Sequence, residues 1–277
     1  MNVQIFNEDC RETMKNLEPQ SVDVVLTSPF YNTSGTSALL NEAEISKFKG
    51  NNRNHPQQRY DIHVDNMTSD EYRDFSLELF KGFDRILKPN GVVLYNISYG
   101  VSNTTDLFLV ISDLITKSNF TVADVICWKK PTAIPNNINH NRLTRIWEFV
   151  FVLCRKAEIN TFHMNKKVVH VSDKGQNFYE NIQNFIEAPN NDGPCDYNKA
   201  TYSSDLCIQL LTWYAPSSAT VYDPFNGTGT TGVACKMMGF DYIGSEISPT
   251  QVKFSLDRIN GVDVYSKKKT TASSKLF

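Results

Sequence analysis

Short apolar, β-branched runs alternate along this chain with stretches whose apolar residues recur at helical spacing. Residues 3–6 (VQIF) and 22–27 (VDVVLT) predict buried strands, with a helix over about 11–17 between them. Thr68 and Ser69 open a longer helix. Its first turn is acidic, and Tyr72, Phe75, Leu79, Phe83 and Leu87 fall on one face. The KPNG turn, with Pro89 and Gly91, ends it. Strands follow over 92–98, 120–128 and 147–155, with a helix over about 104–118 between the first two. Residues 156–200 are weakly patterned and read as an insertion. A helix over 203–214, a strand over 219–225, a glycine turn entering a helix, a strand over 241–247 and a helix over about 249–259 complete the pattern. The tail 266–277 (SKKKTTASSKLF) is expected to be disordered, its lysines simply solvated. Such alternation predicts an α/β fold, a mostly parallel sheet with helices on both faces. The 277 residues suit a single domain with one modest insertion, placed at 156–198.

Two polar segments interrupt the pattern. Residues 28–66 hold Gly35, Gly50, Pro56 and the run GNNRNHPQQR, and residues 129–145 follow a strand. Loops this long in a compact domain usually carry function. The net charge of −2 announces no polyanionic partner, so any basic surface is local. Lys47, Lys49, Arg53 and Arg59 fall between 45 and 60 with no acid among them. Lys129, Lys130, Arg142, Arg145, Arg155 and Lys156 face only Glu148 between 129 and 156. Loops of this kind at strand ends suit nucleic-acid phosphates, and the Asn and Gln of 51–58 and 136–141 suit base edges; the competing reading is two solvated loops. At 40% hydrophobic and 21% charged residues the chain is composed to fold. It has no apolar run of membrane-spanning length and no leader pattern. Its six cysteines form no CxxC pair, so no metal ribbon or redox motif is expected, and reduced thiols in a cytoplasmic protein are.

Two short motifs carry chemistry. Ser28-Pro29-Phe30-Tyr31 directly follows a buried strand, where open α/β sheets bind ligands. A base amine is a poor nucleophile because its lone pair is delocalised into the ring. Hydrogen bonds from its N–H groups to the Ser28 hydroxyl and the Pro29 carbonyl would localise that pair, and Tyr31 could stack on a base lifted from the helix. The competing reading is a plain strand-ending turn. Asp223-Pro224-Phe225-Asn226-Gly227-Thr228-Gly229-Thr230-Thr231 also follows a strand and opens a helix. Gly227 and Gly229 permit tight turning and close ligand approach, and the helix start with Thr230 and Thr231 could receive a carboxylate. The motif has neither P-loop nor G-x-G-x-x-G spacing. Glu246, about twenty residues on, suits two ribose hydroxyls or is an ordinary surface acid. Asp9 could accept from an adenine amine or cap a helix.

Together these residues resemble the S-adenosylmethionine-dependent DNA amino-methyltransferases that act on cytosine N4 or adenine N6, in their permuted β class. There the S/D-P-P-Y motif precedes the cofactor motif, as Ser28–Tyr31 precedes Asp223–Thr231 here. The resemblance extends through NEDC, RYDIHVDNMTSDEYRDF, LKPNGVV, ICWKKP and YIGSEIS. It implies a class I, Rossmann-like methyltransferase fold, catalytic Ser28, Pro29, Phe30 and Tyr31, and a cofactor site of Asp9, Cys10, Asp223, Phe225, Asn226, Gly227, Gly229, Thr230, Thr231 and Glu246. Lys199, Thr201 and Ser203 are implied at the methionine end. It implies double-stranded DNA as partner, reading of the target by 156–198 and the two basic loops, and direct transfer to a flipped-out base without a metal. A cognate restriction endonuclease and a homodimer are compatible partners. Phe30 departs from the usual second proline, and the KATYSSDL segment lacks the usual prolines. Ser at the first position points to cytosine N4, with adenine N6 or a non-catalytic DNA-binding module as alternatives. Families that methylate RNA or glutamine amides generally carry the opposite motif order.

Overall fold

The computed structural model describes residues 1–32, 67–98, 104–133, 135–137, 140–193, 195, 198 and 200–261. Lys47, Lys49, Arg53, Arg59, Lys199 and the tail 266–277 lie outside them. Strands β1 (Val3–Phe6), β2 (Val22–Thr27), β3 (Leu87–Ile97), β4 (Phe120–Lys129), β5 (Trp147–Arg155), β8 (Phe185–Glu187), β9 (Thr220–Asp223) and β10 (Asp241–Ser245) form one sheet, in the order β1-β10-β9-β2-β3-β5-β4-β8. β6 (Val168–Val171) and β7 (Asn177–Tyr179) form a separate two-stranded ribbon. Every pair in the large sheet is parallel except those of β5, which runs antiparallel to both β3 and β4. The connection after β4 closes on itself, with Lys130 N–H donating to the Ile146 carbonyl at 2.6 Å, and so returns the chain beside β4 as β5.

Strand residues alternate between two cores. Val24, Leu26, Val92 and Leu94 enter one, while Val22, Val25, Val93 and Tyr95 enter the other. Helices α1 (Cys10–Asn16), α2 (Ser69–Ile86) and α3 (Thr104–Lys117) cover the second core through Met14, Leu79, Phe83, Val110 and Leu114. Helices α4 (Ser204–Tyr214), α5 (Thr230–Met238) and α6 (Pro249–Ile259) cover the first through Leu206, Leu210, Ala234 and Ile259. Thr68 caps α2 as expected: its side chain accepts from the Glu71 N–H while Glu71 reaches back to the Thr68 N–H.

Two expectations change. β3 begins at Leu87, before the KPNG turn and not after it. Leu87 pairs with Val22 and Val92 with Val24, so the turn loops out of an already paired strand, with Asn90 at φ 64°. Gly91 is required there, since a Cβ would stand 2.8 Å from the Asp23 carbonyl. The second change concerns the insertion. Because β5 is antiparallel, the segment after it starts at the amino ends of the parallel strands. His163 N–H donates to Asn90 O (2.9 Å) and Asn165 Nδ2 to Ala215 O (2.6 Å), rooting the β6–β7 ribbon at that pole. Arg155 is there too, on Asp84 at 2.6 Å and the Leu87 carbonyl at 2.8 Å. So Arg155 and Lys156 do not belong with the other basic residues of 129–156. The chain returns through β8, parallel to β4, and only residues after β8 reach the opposite pole.

Among the described residues no helix is long and apolar enough to cross a membrane, and no cluster of His, Cys, Asp and Glu could hold a metal ion.

Candidate active site

β2 and β9 lie side by side, and from their border the strand order runs outward in opposite directions, a point where open sheets leave a crevice at the carboxyl ends. Both motifs leave the sheet there. Thr27 Oγ1 donates to Asp223 Oδ1 at 2.8 Å, tying the two turns together. Asp223 is 1% exposed and accepts also from Thr231 Oγ1 (2.7 Å), Phe225 N–H (3.0 Å) and Tyr202 OH (3.2 Å). Burial pushes its carboxyl above the usual range while these donors hold it down.

A cavity of about 260 Å³ opens above this joint. Ser28 and Phe30 line it from one turn, Phe225, Asn226, Gly227 and Thr230 from the other, Asp9 and Cys10 from the start of α1, Glu246 from the end of β10, and Thr201 from the chain entering α4. Glu246 accepts from Gly227 N–H (Oε2, 2.8 Å) and Ser248 N–H (Oε1, 2.9 Å), which aims the carboxylate. Asp9 both lines the cavity and caps α1: it accepts from Arg11 N–H at 2.9 Å and pairs with the Arg11 guanidinium at 2.8 Å, which holds its carboxyl below the usual range. Burial pushes the Cys10 thiol up, so it packs as a neutral group.

Several predicted site residues support the cavity without lining it. Asp223 and Gly229 sit behind it; Gly229 has φ 77°, and a Cβ there would meet Ser255 Cβ at 2.6 Å. Thr231 turns inward to Asp223 and is fully buried, so it does not receive a ligand at the helix start as expected. Ser203 is also fully buried and caps α4 by accepting from Leu206 N–H. The start of α5 is engaged by the protein itself: Arg258 Nη1 donates to Thr228 O (3.0 Å) and Thr230 Oγ1 (2.9 Å), and its Nη2 pairs with Asp192.

Phe30 takes the second proline's place by packing. Its ring is 5.4 Å from Phe75, 5.5 Å from Tyr72 and 6.0 Å from Phe225, and its carbonyl accepts from Tyr72 OH at 2.6 Å. A turn that proline would stiffen covalently is held here by a ring cluster and one buried hydrogen bond. Next to it Asn32, at φ 49°, donates from Nδ2 to Met67 O at 2.7 Å.

Beside Ser28 lies a polar cluster that sequence reasoning missed. Ser28 Oγ is 3.0 Å from Tyr31 OH, and Tyr31 OH lies 3.0 Å from Glu148 Oε2 and 3.2 Å from Asn96 Oδ1. Glu148 Oε1 pairs with Lys130, whose ammonium also sits 4.7 Å from the centre of the Trp128 ring. Lys130 therefore points into the site and not toward phosphate. Lys129 pairs with Glu187 at 2.8 Å. Arg142 is exposed and Arg145 half-buried in the same connection. Met67, Phe75, Asn198, Gln251 and Ile247 also line the cavity unforeseen. The one signal for the polar cluster was an acid, Glu148, inside an otherwise apolar strand.

The site and sheet are those of a DNA methylase. The DNA methylase family model, covering the N6 and N4 enzymes, matches residues 22–257, and the chain belongs to that family. Type II methyltransferase M.HinfI of Haemophilus influenzae is 26% identical over 256 residues, covering 87% of this chain and 64% of that protein. M.Cfr9I of Citrobacter freundii is 28% identical over 138 residues, covering 50% of this chain and 44% of the relative. The chain thus spans less than two thirds of the length of either. The PvuII DNA methyltransferase, described as cytosine-N4-specific, shares the fold with a TM-score of 0.69 at 17% identity, covering 97% of this chain and 90% of that one. The complex of M1.HpyAVI with SAM does so with 0.56 at 22% identity, covering 92% and 99%.

Proposed function

We propose that this chain transfers the methyl group of S-adenosylmethionine to the exocyclic amine of a base in double-stranded DNA, with cytosine N4 as the acceptor. The observation that carries the reading is the Thr27–Asp223 joint, which puts Ser28 on the wall of the same cavity as Glu246, Asp9 and Phe225.

The donor set suits S-adenosylmethionine. Glu246 lines the cavity with its carboxylate aimed by the Gly227 and Ser248 N–H groups, an acceptor suited to ribose hydroxyls. Cys10, Phe225 and Ile247 offer an apolar slot for the adenine, and the Phe30, Phe75 and Phe225 rings suit a sulfonium cation. When bound, S-adenosylmethionine supplies an electrophilic methyl group. Ser28 Oγ accepts an N–H of the target amine, and the Pro29 carbonyl accepts the other. Both interactions localise the nitrogen lone pair, and the Tyr31 ring stacks on the flipped base. With the cofactor held there, the amine nitrogen would attack the methyl carbon in line as the carbon–sulfur bond breaks, S-adenosylhomocysteine would leave as the neutral thioether, and the nitrogen would lose one proton to solvent. Most of the acceleration comes from proximity and orientation, with no covalent enzyme intermediate. A neutral, short Ser28 in place of an acid favours the cytosine amine. Arg142 and Arg145 serve the phosphates, and residues after β8 together with the connection before β5 read the target. The protein works in the cytoplasm, alongside a cognate restriction endonuclease.

The test incubates the protein with unmethylated mixed-sequence duplex and isotope-labelled S-adenosylmethionine, then digests the DNA to nucleosides for mass spectrometry. Label on N4-methylcytosine is expected, and Ser28→Ala abolishes it. Label on N6-methyladenine overturns the base choice. No label with cofactor binding intact overturns the activity.

A further inference from the structure

We infer that Glu148 is a positioning residue that sets which way the Ser28 hydroxyl points its proton. The inference rests on the proposed function. Glu148 is the second residue of β5, opposite Trp128 of β4, and no motif of the chain marks it. Its two oxygens do different work: Oε1 is held by Lys130, and Oε2 faces Tyr31 OH at 3.0 Å.

Tyr31 has one proton and two acceptors waiting for it. Glu148 Oε2 is one. Asn96 Oδ1, at 3.2 Å, is the other, and its orientation is set because Asn96 Nδ2 donates to Phe149 O at 2.9 Å. Neither group can return a proton to the Tyr31 oxygen. In the Ser28–Tyr31 contact of 3.0 Å, Ser28 must therefore be the donor. Its oxygen is left with lone pairs toward the cavity, which is the polarity that an amine N–H needs. With the proton turned the other way, Ser28 would donate to the amine lone pair and block its attack. The carboxylate makes the stronger of the two bonds to Tyr31, because a charged acceptor roughly doubles a hydrogen bond.

Glu148→Gln is the informative change. Lys130 keeps the amide oxygen on its own side, so the amide N–H₂ faces Tyr31. There it competes with Ser28 for the phenol lone pairs. Glu148 also meets Asn96 Nδ2 at 3.5 Å and pairs with Lys130, but it reaches Ser28 through the Tyr31 hydroxyl, so its effect on the transfer rate must vanish once that hydroxyl is gone.

The experiment measures single-turnover methyl transfer to duplex DNA, with cofactor affinity determined separately, for wild type, E148Q, E148D, Y31F and Y31F/E148Q. The expected loss in E148Q is about 10- to 100-fold in rate, the worth of a charge-assisted hydrogen bond, with cofactor affinity unchanged. E148D recovers most of it. Y31F/E148Q runs at the Y31F rate. The inference is overturned if E148Q matches wild type, if E148Q slows the Y31F enzyme as much as it slows wild type, or if its loss lies in cofactor affinity. A wild type that methylates no DNA overturns the proposed function, and this inference with it.

Discussion

Thr27 Oγ1 and Asp223 Oδ1 meet at 2.8 Å, although 196 residues separate them in the chain. One residue ends the strand that leads to Ser28, and the other ends the strand that leads to the glycine turn. Their bond ties the turn that carries Ser28 directly to the glycine turn. Thr27→Val keeps the shape but leaves the buried carboxylate one donor short. The expected cost is about 1–3 kcal/mol of stability, read by urea unfolding, together with weaker cofactor binding. An unchanged unfolding midpoint would show that the joint does not hold the turns.

The proposed function gives the charges in the connection between β4 and β5 two different roles. Arg142→Ala and Arg145→Ala should each flatten the dependence of DNA affinity on salt by about one unit of log–log slope. Lys130→Ala should leave that slope alone and lower the transfer rate instead, because Lys130 is committed to Glu148 and Trp128. Binding titrations at four or five salt concentrations separate the two; a Lys130 variant with the flatter slope would contradict the geometry.

Arg258 joins three parts of the site. It holds Thr228 and Thr230 of the glycine turn and pairs with Asp192, which in turn accepts from Ser204 N–H at 2.8 Å at the start of α4. The guanidinium is 7% exposed and Asp192 20%. Arg258→Met should cost about 3 kcal/mol, the lower end for breaking a buried pair, since Asp192 keeps some solvent. Cofactor affinity should fall with it. A double-mutant cycle with Asp192→Asn should show strong non-additivity; simple additivity would mean that the pair does not couple the insertion to the turn.

Asp113 on α3 pairs with Arg73 on α2 at 2.7 Å and with Lys117 at 3.1 Å, and the Arg73 hydrogen bond holds its carboxyl below the usual range. A depressed carboxyl stabilises the fold fully above the unfolded value, about 3.9, and loses that contribution as the pH falls through the lower folded value. Asp113→Asn should therefore melt below wild type at pH 7, with the gap closing as the pH drops beneath about 4. A gap independent of pH would assign the loss to packing.

The periodicities of the chain set out the strands and helices closely, because each depends on residues near in sequence. β2 reads as VDVVLT, and α2 announces itself by its Thr68 cap. The order of the two motifs pointed to the family because each motif is a contiguous turn at a strand end. Asp9 shows that two readings of a residue need not compete, since it caps α1 and lines the cavity at once.

What only the tertiary structure decided is direction and company. The sequence by itself determined that 147–155 is a strand, but its antiparallel course, set by pairing with β3 and β4, sent Arg155 and the β6–β7 ribbon to the pole opposite the site. It determined that Lys130 is a cation at a strand end. Only the fold turned it toward Glu148 and left Arg142 outside. The same holds for Thr231, drawn inward by a carboxylate that burial had stripped of water. Local propensity is written in neighbouring residues, whereas the partner of a buried charge is chosen by whichever distant strand lies alongside it.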